Sequence, residues 1–295
     1  MRVFVTGATG FVGSAIVQEL LGAGHRVLGL ARSDSGAALL AAAGADVQRG
    51  SLEDRDSLKR GAAAADGVIH TAFIHDFSDF AANAQTDQLA IAAMAESLAG
   101  SDKPFLVTSG TLGLPPGRPG TEDDRPGPAS PRKSEEAGIA AVAQGVRAMT
   151  IRLSPSVHGD GDHGFVPALI KFAREKGFAI YVGDGKNRWP AVHRLDAAKL
   201  YRLALERGAA GARFHGVADE GIPLRQIAEL IGQRLRLPVV SKTPEQAAEL
   251  LGFIGHVLAM DAPASNALTR ERLGWHPSEV GLIRDLEQGR YFDAL

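Results

Sequence analysis

Apolar residues in the first half of the chain fall into short runs, separated by segments in which they recur every three or four positions. The runs are Val3–Val5, Val27–Leu30, Val47–Gln48, Gly67–His70, Phe105–Thr108 and Met149–Leu153. Helical spacing marks Gly13–Leu21, Ser35–Ala42, Ser57–Ala64, Asp79–Ala99 and Pro131–Gln144. Runs too short for helices, alternating with helical segments, predict a doubly wound α/β fold around a parallel sheet. After Leu153 the runs thin out. Helical spacing dominates at Val166–Lys176, Asp196–Glu206, Leu224–Leu235, Pro244–Leu251, Ala264–Leu273 and Gly281–Tyr291. The expectation is a sheet domain over residues 1–153, to which 190–217 return, and a smaller, mainly helical domain over 154–295. Between Leu112 and Pro131 lie six prolines and four glycines, which predicts a loop long enough to serve as a lid.

The first apolar run leads into Thr6-Gly-Ala-Thr-Gly-Phe-Val-Gly13, and helical spacing begins at once. A strand that feeds a glycine turn into a helix N-terminus is an anion site. The turn needs positive φ, and the first N–H groups of the helix point at a phosphate. The spacing differs from GxGxxG, but the mechanics match those of Rossmann-like dinucleotide sites. Candidate contacts are Gly7, Thr9, Gly10, Phe11, Val12 and Gly13. Gly10 is expected to be the least replaceable, because backbone approaches the diphosphate there.

Composition narrows the chemistry. Net charge is −2 with basic residues scattered, so no nucleic-acid partner is expected. No run reaches the roughly 18 apolar residues of a membrane span. The chain has no cysteine, which excludes thiolate catalysis and disulfides. No metal site is expected; Asp160, Asp162 and His163 lie among glycines and read as a polar turn. A cytoplasmic location follows as the simplest expectation.

Beyond the glycine turn, the ends of the strand runs supply the remaining cofactor candidates. Arg32 and Ser33 stand where an acid would hold the ribose hydroxyls of NAD, so a 2′-phosphate and hence NADP is expected. Ser51 and Leu52 are candidates to flank the adenine, with Leu52 as an apolar wall, and Asp54 reads as a helix N-cap. Thr71, Ala72 and Phe73 would let the dinucleotide cross the strand ends. His70, inside its strand run, reads as a packed structural residue.

Together these motifs resemble the extended and atypical branch of the short-chain dehydrogenase/reductase superfamily, which includes the NAD-dependent epimerase/dehydratase-like proteins. Thr6–Gly13 resembles its TGxxGxxG, and Ile69-His-Thr-Ala-Phe73 its hydrophobic-His-x-Ala segment. Ser109, in Val107-Thr-Ser-Gly-Thr111, lies where the resemblance puts a catalytic Ser/Thr. Arg152-Leu-Ser-Pro-Ser-Val-His-Gly159 resembles the stretch that packs on the nicotinamide. Gly183–Asp196 resembles a later Gly-Asp-Gly…Arg…His…Asp segment. The likeness covers nearly the whole chain and breaks at the active site. The family's Tyr-x-x-x-Lys would put tyrosine at Ala129 if Lys133 is the lysine, or at Pro128 if Arg132 takes its place. The chain's three tyrosines, Tyr181, Tyr201 and Tyr291, lie far from this segment in sequence.

Without that phenol, Ser109 is the candidate to hydrogen-bond a carbonyl, with Thr111 as substitute. Arg132 or Lys133 would stabilise oxyanion charge. Asp87, in the place of the family's Asn, and His158 are candidate proton carriers. Phe165, Arg188, Trp189 and His193 are substrate candidates, although Trp189 reads equally well as core. The expected function is NADP-dependent reduction of an aldehyde or ketone. The alternatives are a sugar epimerase or dehydratase, and a non-enzymatic NADP-binding sensor. The resemblance implies a homodimer paired through the Ala-rich faces of Asp79–Ala99 and Pro131–Gln144.

Overall fold

In this computed structural model, which describes residues 1–75, 79–127 and 132–293, strand and helix alternate from the start. The first half comprises β1 (Arg2–Thr6), α1 (Phe11–Gly22), β2 (Arg26–Ala31), α2 (Asp34–Ala42), β3 (Asp46–Arg49), α3 (Arg55–Ala63), β4 (Gly67–His70), α4 (Phe80–Leu98), β5 (Pro104–Gly110), α5 (Ser134–Val142) and β6 (Arg147–Leu153). The second half comprises β7 (Ser156–His158), α6 (Phe165–Lys176), β8 (Ala179–Val182), β9 (Arg188–His193), α7 (Arg194–Arg207), β10 (Arg213–Gly216), β11 (Asp219–Pro223), α8 (Leu224–Leu235), β12 (Val239–Lys242), α9 (Pro244–Leu251), α10 (Phe253–Leu258), α11 (Ala267–Leu273) and α12 (Leu282–Gln288).

Seven strands form one parallel sheet in the order β10-β6-β5-β4-β1-β2-β3. This is the expected doubly wound, Rossmann-like α/β fold. Strand order reverses between β1 and β4, and crevices open at such a point beyond the C-terminal strand ends. One sheet face packs with α1 and α7 around Val3, Val5, Ile16 and Tyr201. The other packs with α3, α4 and α5 around Phe4, Leu58, Met94 and Phe105. A further core, around Phe172, Trp189 and Ile227, belongs to the second half.

The second half holds more strand than its pattern predicts. Strands β11, β9 and β7 form a small sheet, β12 pairs with β8, and β10 joins the main sheet beside β6. These strands are short, and Pro190 interrupts the longest of them, so no period-two alternation shows. The expected helix from Pro131 begins outside the described residues; its described part is Ser134–Val142.

The proline-rich segment behaves as a strap rather than a lid. Gly120 donates to the Pro263 carbonyl at 2.8 Å and accepts from Ser265 N–H at 2.8 Å. Glu122 accepts from the backbone and hydroxyl of Thr269 in α11, at 2.7 and 2.6 Å. Fully buried Arg152 donates to the Thr121 and Asp124 carbonyls at 3.3 and 2.6 Å, and to both oxygens of Glu135 at 2.8 and 2.7 Å. Glu135 also receives Arg213 of β10 at 2.6 Å. A segment held at both backbone and side-chain level cannot swing open without uncovering a buried ion pair.

Arg152→Met should therefore leave Glu135 Oε2 without its donor, with only Arg213 on Oε1, and lower the unfolding free energy by about 3 kcal/mol. Urea denaturation checks this, and a loss under about 1 kcal/mol would show that the strap does not depend on the pair.

Candidate active site

Thr6 ends β1, and Gly7 turns the chain with φ +68°. Its neighbours leave no room for a side chain: a Cβ there would fall 2.7 Å from Thr71 Oγ1. A Cβ on Gly13 would fall 2.0 Å from the Gly7 carbonyl oxygen. These two glycines are required by the fold itself, so for folding Gly13, not Gly10, is the least replaceable. Gly10 caps α1 and donates to Gly7 O at 2.9 Å. A Cβ on it would meet only that oxygen, at 3.2 Å. Thr9 and Gly10 are exposed, so this part of the turn faces space that a ligand can occupy. Phe11 is half-covered by the loop after β7 and the start of α7: His163 stands edge-on at 5.7 Å, and the Arg194 guanidinium lies 5.0 Å from the ring centre. Val12 packs partly on the core behind α1.

At the end of β2, Arg32 is exposed, whereas the Ser33 hydroxyl already caps α2 by accepting from Gly36 N–H at 3.1 Å. Arg49 is a second cation there that the sequence reading missed. The β2–β3 register sets it beside Ala31, and it donates to Ser33 O at 2.5 Å and to Asp34 at 2.6 Å. Leu52 is not an open adenine wall. It is 8 % exposed and lies in the core with Leu28, Leu30 and Leu58. The Ser51 hydroxyl accepts from Asp54 N–H at 3.3 Å, and Asp54 caps α3.

Behind the strand ends runs a buried hydrogen-bond chain. Ala72 N–H donates to the Thr6 hydroxyl at 3.4 Å, and that hydroxyl lies 2.7 Å from His70 Nδ1. His70 Nε2 lies 3.0 Å from Asp87 Oδ1, and Ser134 donates to Asp87 Oδ2 at 2.5 Å. A carboxylate can only accept, so His70 carries a proton on Nε2 and donates it to Asp87. Burial pushes the Asp87 carboxyl up, but hydrogen bonding to His70, the charges of His70 and Arg132, and Ser134 together hold it below the usual carboxylate range. Asp87 lies within α4, so it is a buried acceptor and not a cap.

The chain ends on Arg132, which donates from Nε to Ser134 Oγ at 2.9 Å and from Nη2 to the Thr108 carbonyl at 3.0 Å. Its guanidinium lies over the Phe73 ring, 4.4 Å from the ring centre. Lys133 instead donates to Glu136 at 3.0 Å, so of the two cations Arg132 is the one delivered to the end of β5. Pro128 and Ala129, the candidate tyrosine positions, lie outside the described residues. A phenol does come near from elsewhere. Tyr201 of α7 lies 2.7 Å from the Thr108 hydroxyl, but it is fully buried, and burial pushes its pKa far up. Ser109 is 6 % exposed at the end of β5, and the Thr111 hydroxyl is buried without a partner. His75, which the sequence reading did not single out, stands edge-on to Phe73 at 5.3 Å. Burial first, then the charge of Arg132, pushes its pKa down.

Other sequence candidates are placed differently. His158 is fully buried and bonds Asp285 of α12 at 2.9 Å, with His193 edge-on at 5.3 Å. Tyr291 accepts from Gly159 N–H at 3.0 Å and donates to Asp162 at 3.1 Å. His158 thus belongs to a brace between β7 and α12, not to the side chains at the end of β5. Arg188 is held by Asp261 at 3.1 and 3.0 Å. Trp189 is fully buried core against Phe165 at 5.6 Å, and His193 accepts from Leu195 N–H at 3.3 Å at the start of α7.

Among the described residues no helix is long and apolar enough to cross a membrane. Residues 3–216 match the model of the NAD dependent epimerase/dehydratase family. An uncharacterized protein of Schizosaccharomyces pombe is 50 % identical over 295 residues, 99 % of this chain and all of that one. A 4-hydroxy-2-methyl-3-oxo-4-farnesyl-3,4-dihydroquinoline-1-oxide ketoreductase of Stigmatella aurantiaca is 28 % identical over 88 % of this chain and 80 % of its own. A dTDP-glucose 4,6-dehydratase of Streptomyces venezuelae, solved with NAD, shares the fold with TM-score 0.79 at 20 % identity, over 99 % and 97 % of the two chains.

Two outcomes follow from this geometry. Gly13→Ala should unfold or severely destabilise the protein, whereas Gly10→Val should remain folded by circular dichroism yet lose dinucleotide binding in calorimetric titration. Tight binding by Gly10→Val would mean the turn does not carry the ligand. The lowered Asp87 pKa implies stability that is full above the ordinary carboxylate value near 3.9 and is lost as acid protonates the group at lower pH. Asp87→Asn should cost roughly 2 kcal/mol at pH 7 and flatten the acid limb of stability against pH. An unchanged acid limb would remove Asp87 from that role.

Proposed function

The chain belongs to the NAD dependent epimerase/dehydratase family, and from that premise we propose that it is an NADP-dependent reductase of an aldehyde or ketone. The carrying observation is the inward Arg132, set by Ser134 and Asp87 and bonded to the Thr108 carbonyl, one residue before Ser109 in β5. The glycine turn fits a dinucleotide, since Gly10 is bare toward open space and caps a twelve-residue helix whose first N–H groups suit a diphosphate. Bound there, the cofactor supplies the hydride, and the protein's part is to hold, orient and stabilise charge. Ser109 would donate its hydroxyl proton in a hydrogen bond to the carbonyl oxygen. Thr111, a buried hydroxyl without a partner, would back it. Arg132 would meet the negative charge that grows on that oxygen.

Exposed Arg32, with Arg49 nearby, supports NADP over NAD. The name of the Stigmatella relative, a ketoreductase, favours reduction. The family's own name keeps an epimerase or dehydratase as the second reading, and such an enzyme would turn over a sugar without net consumption of cofactor.

Arg32→Ala should weaken NADP binding tenfold to a hundredfold, the worth of a charge-assisted contact, and leave NAD binding unchanged. Equal affinities of wild type for NADP and NAD would refute the preference. On a panel of carbonyl compounds assayed by NADPH oxidation, Ser109→Ala should lose about 10²–10³ in kcat across the pH range. Full activity in that variant would move the active site elsewhere.

A further inference from the structure

Arg194 is the first residue of α7, and its place there runs against helix preference. A cation in the first turn faces the positive end of the helix dipole, which a carboxylate in that turn would offset. The acid of the turn, Asp196, is fully buried and engaged elsewhere. It accepts from Ser278 and Glu279 N–H at 3.0 and 2.9 Å and from Lys199 at 3.3 Å. Among the described residues Arg194 makes one hydrogen bond, from Nη1 to the Asp160 carbonyl at 2.9 Å, and pairs with no carboxylate. Its guanidinium lies 5.0 Å from the centre of the Phe11 ring. Phe11 opens α1 directly after Gly10, and a helical side chain leans toward its helix N-terminus. The ring therefore lies beside the mouth of α1, and Arg194 is brought to the end of the helix where unpaired N–H groups collect. The stem of Arg194 has little slack. A Cβ on Gly159 would fall 3.2 Å from Arg194 Cγ, and Gly159 is itself held by its N–H bond to Tyr291 at 3.0 Å.

We infer, building on the reading of the glycine turn as a dinucleotide site, that Arg194 is a ligand of the cofactor's diphosphate. The α1 N–H groups and the Nε and Nη2 donors of Arg194 would share the diphosphate oxygens. The second half of the chain then supplies a charge to the site that the first half builds around its glycine turn. Arg32 is assigned to the 2′-phosphate, which only NADP carries. Arg194 acts on the part that NADP and NAD have in common.

The test is calorimetric titration of the full chain with NADP and with NAD, for wild type, Arg194→Gln, Arg194→Lys and Tyr291→Phe. Glutamine can still donate to the Asp160 carbonyl but carries no charge. It should weaken both cofactors about tenfold to a hundredfold and leave the NADP to NAD ratio unchanged, and lysine should recover part of the loss. Added salt should weaken NAD binding by wild type, and that of Arg194→Gln less steeply. Tyr291→Phe loosens the loop at Gly159 and keeps the charge, so its salt dependence should match wild type. Melting curves confirm that each variant is folded. A loss confined to NADP overturns the inference, as does a loss in Arg194→Gln that Tyr291→Phe equals while both keep the wild-type salt dependence. Wild type that binds neither cofactor sinks the dinucleotide reading and the inference with it. Wild-type binding of both cofactors that Arg194→Gln leaves intact sinks the inference alone.

Discussion

A carboxylate with 1 % of its surface exposed must be met by donors on both oxygens, and Asp87 is met by His70 on one and Ser134 on the other. Leaving either oxygen unsatisfied would cost of order 1–3 kcal/mol or more. Those partners come from β4 and from the first turn of α5, and His70 is in turn fixed by Thr6 at the end of β1. One buried charge therefore ties the strand that starts the glycine turn, the strand beside it, and the helix whose entry carries Arg132. The position of the inward guanidinium is a consequence of satisfying Asp87, relayed through the Ser134 hydroxyl. The polar cluster at β5 and the dinucleotide turn are thus set by the same chain of donors.

The fold was legible because buried parallel strands must be short and apolar, and the helices between them must show a stripe. All six apolar runs of the first half became strands of the main sheet. The second half read less well because β7, β8 and β12 are only three or four residues long. The strap was misread for a different reason. Proline and glycine mark a segment without regular structure, but its attachment depends on Arg152, Pro263 and Thr269, which are distant in sequence.

Local features were legible, since the glycine turn follows β1 and Ser109 lies in β5 as the strand runs predict. Side-chain placement was not legible where partners come from afar. Arg132 and Lys133 are adjacent, and only Ser134, Thr108 and Phe73 determine which of them turns inward. His158 looked available because it follows a strand, but Asp285 waits for it 127 residues later. Arg188 is likewise claimed by Asp261. Each is an ionisable side chain whose partner no spacing rule could pair with it.

The Arg152 cluster has a consequence for how the chain reaches its native state. Its members come from β6, α5, β10 and the strap, and the strap is itself held by α11. A guanidinium buried with Glu135 alone would lack the Thr121 and Asp124 carbonyls, so an assembly that closes around it without the strap is penalised. The sheet's last edge, the proline-rich crossing and α11 therefore complete one shared set of contacts. Residues over 90 positions apart are coupled through it, and forms in which one of these elements is undocked leave the cluster short of partners.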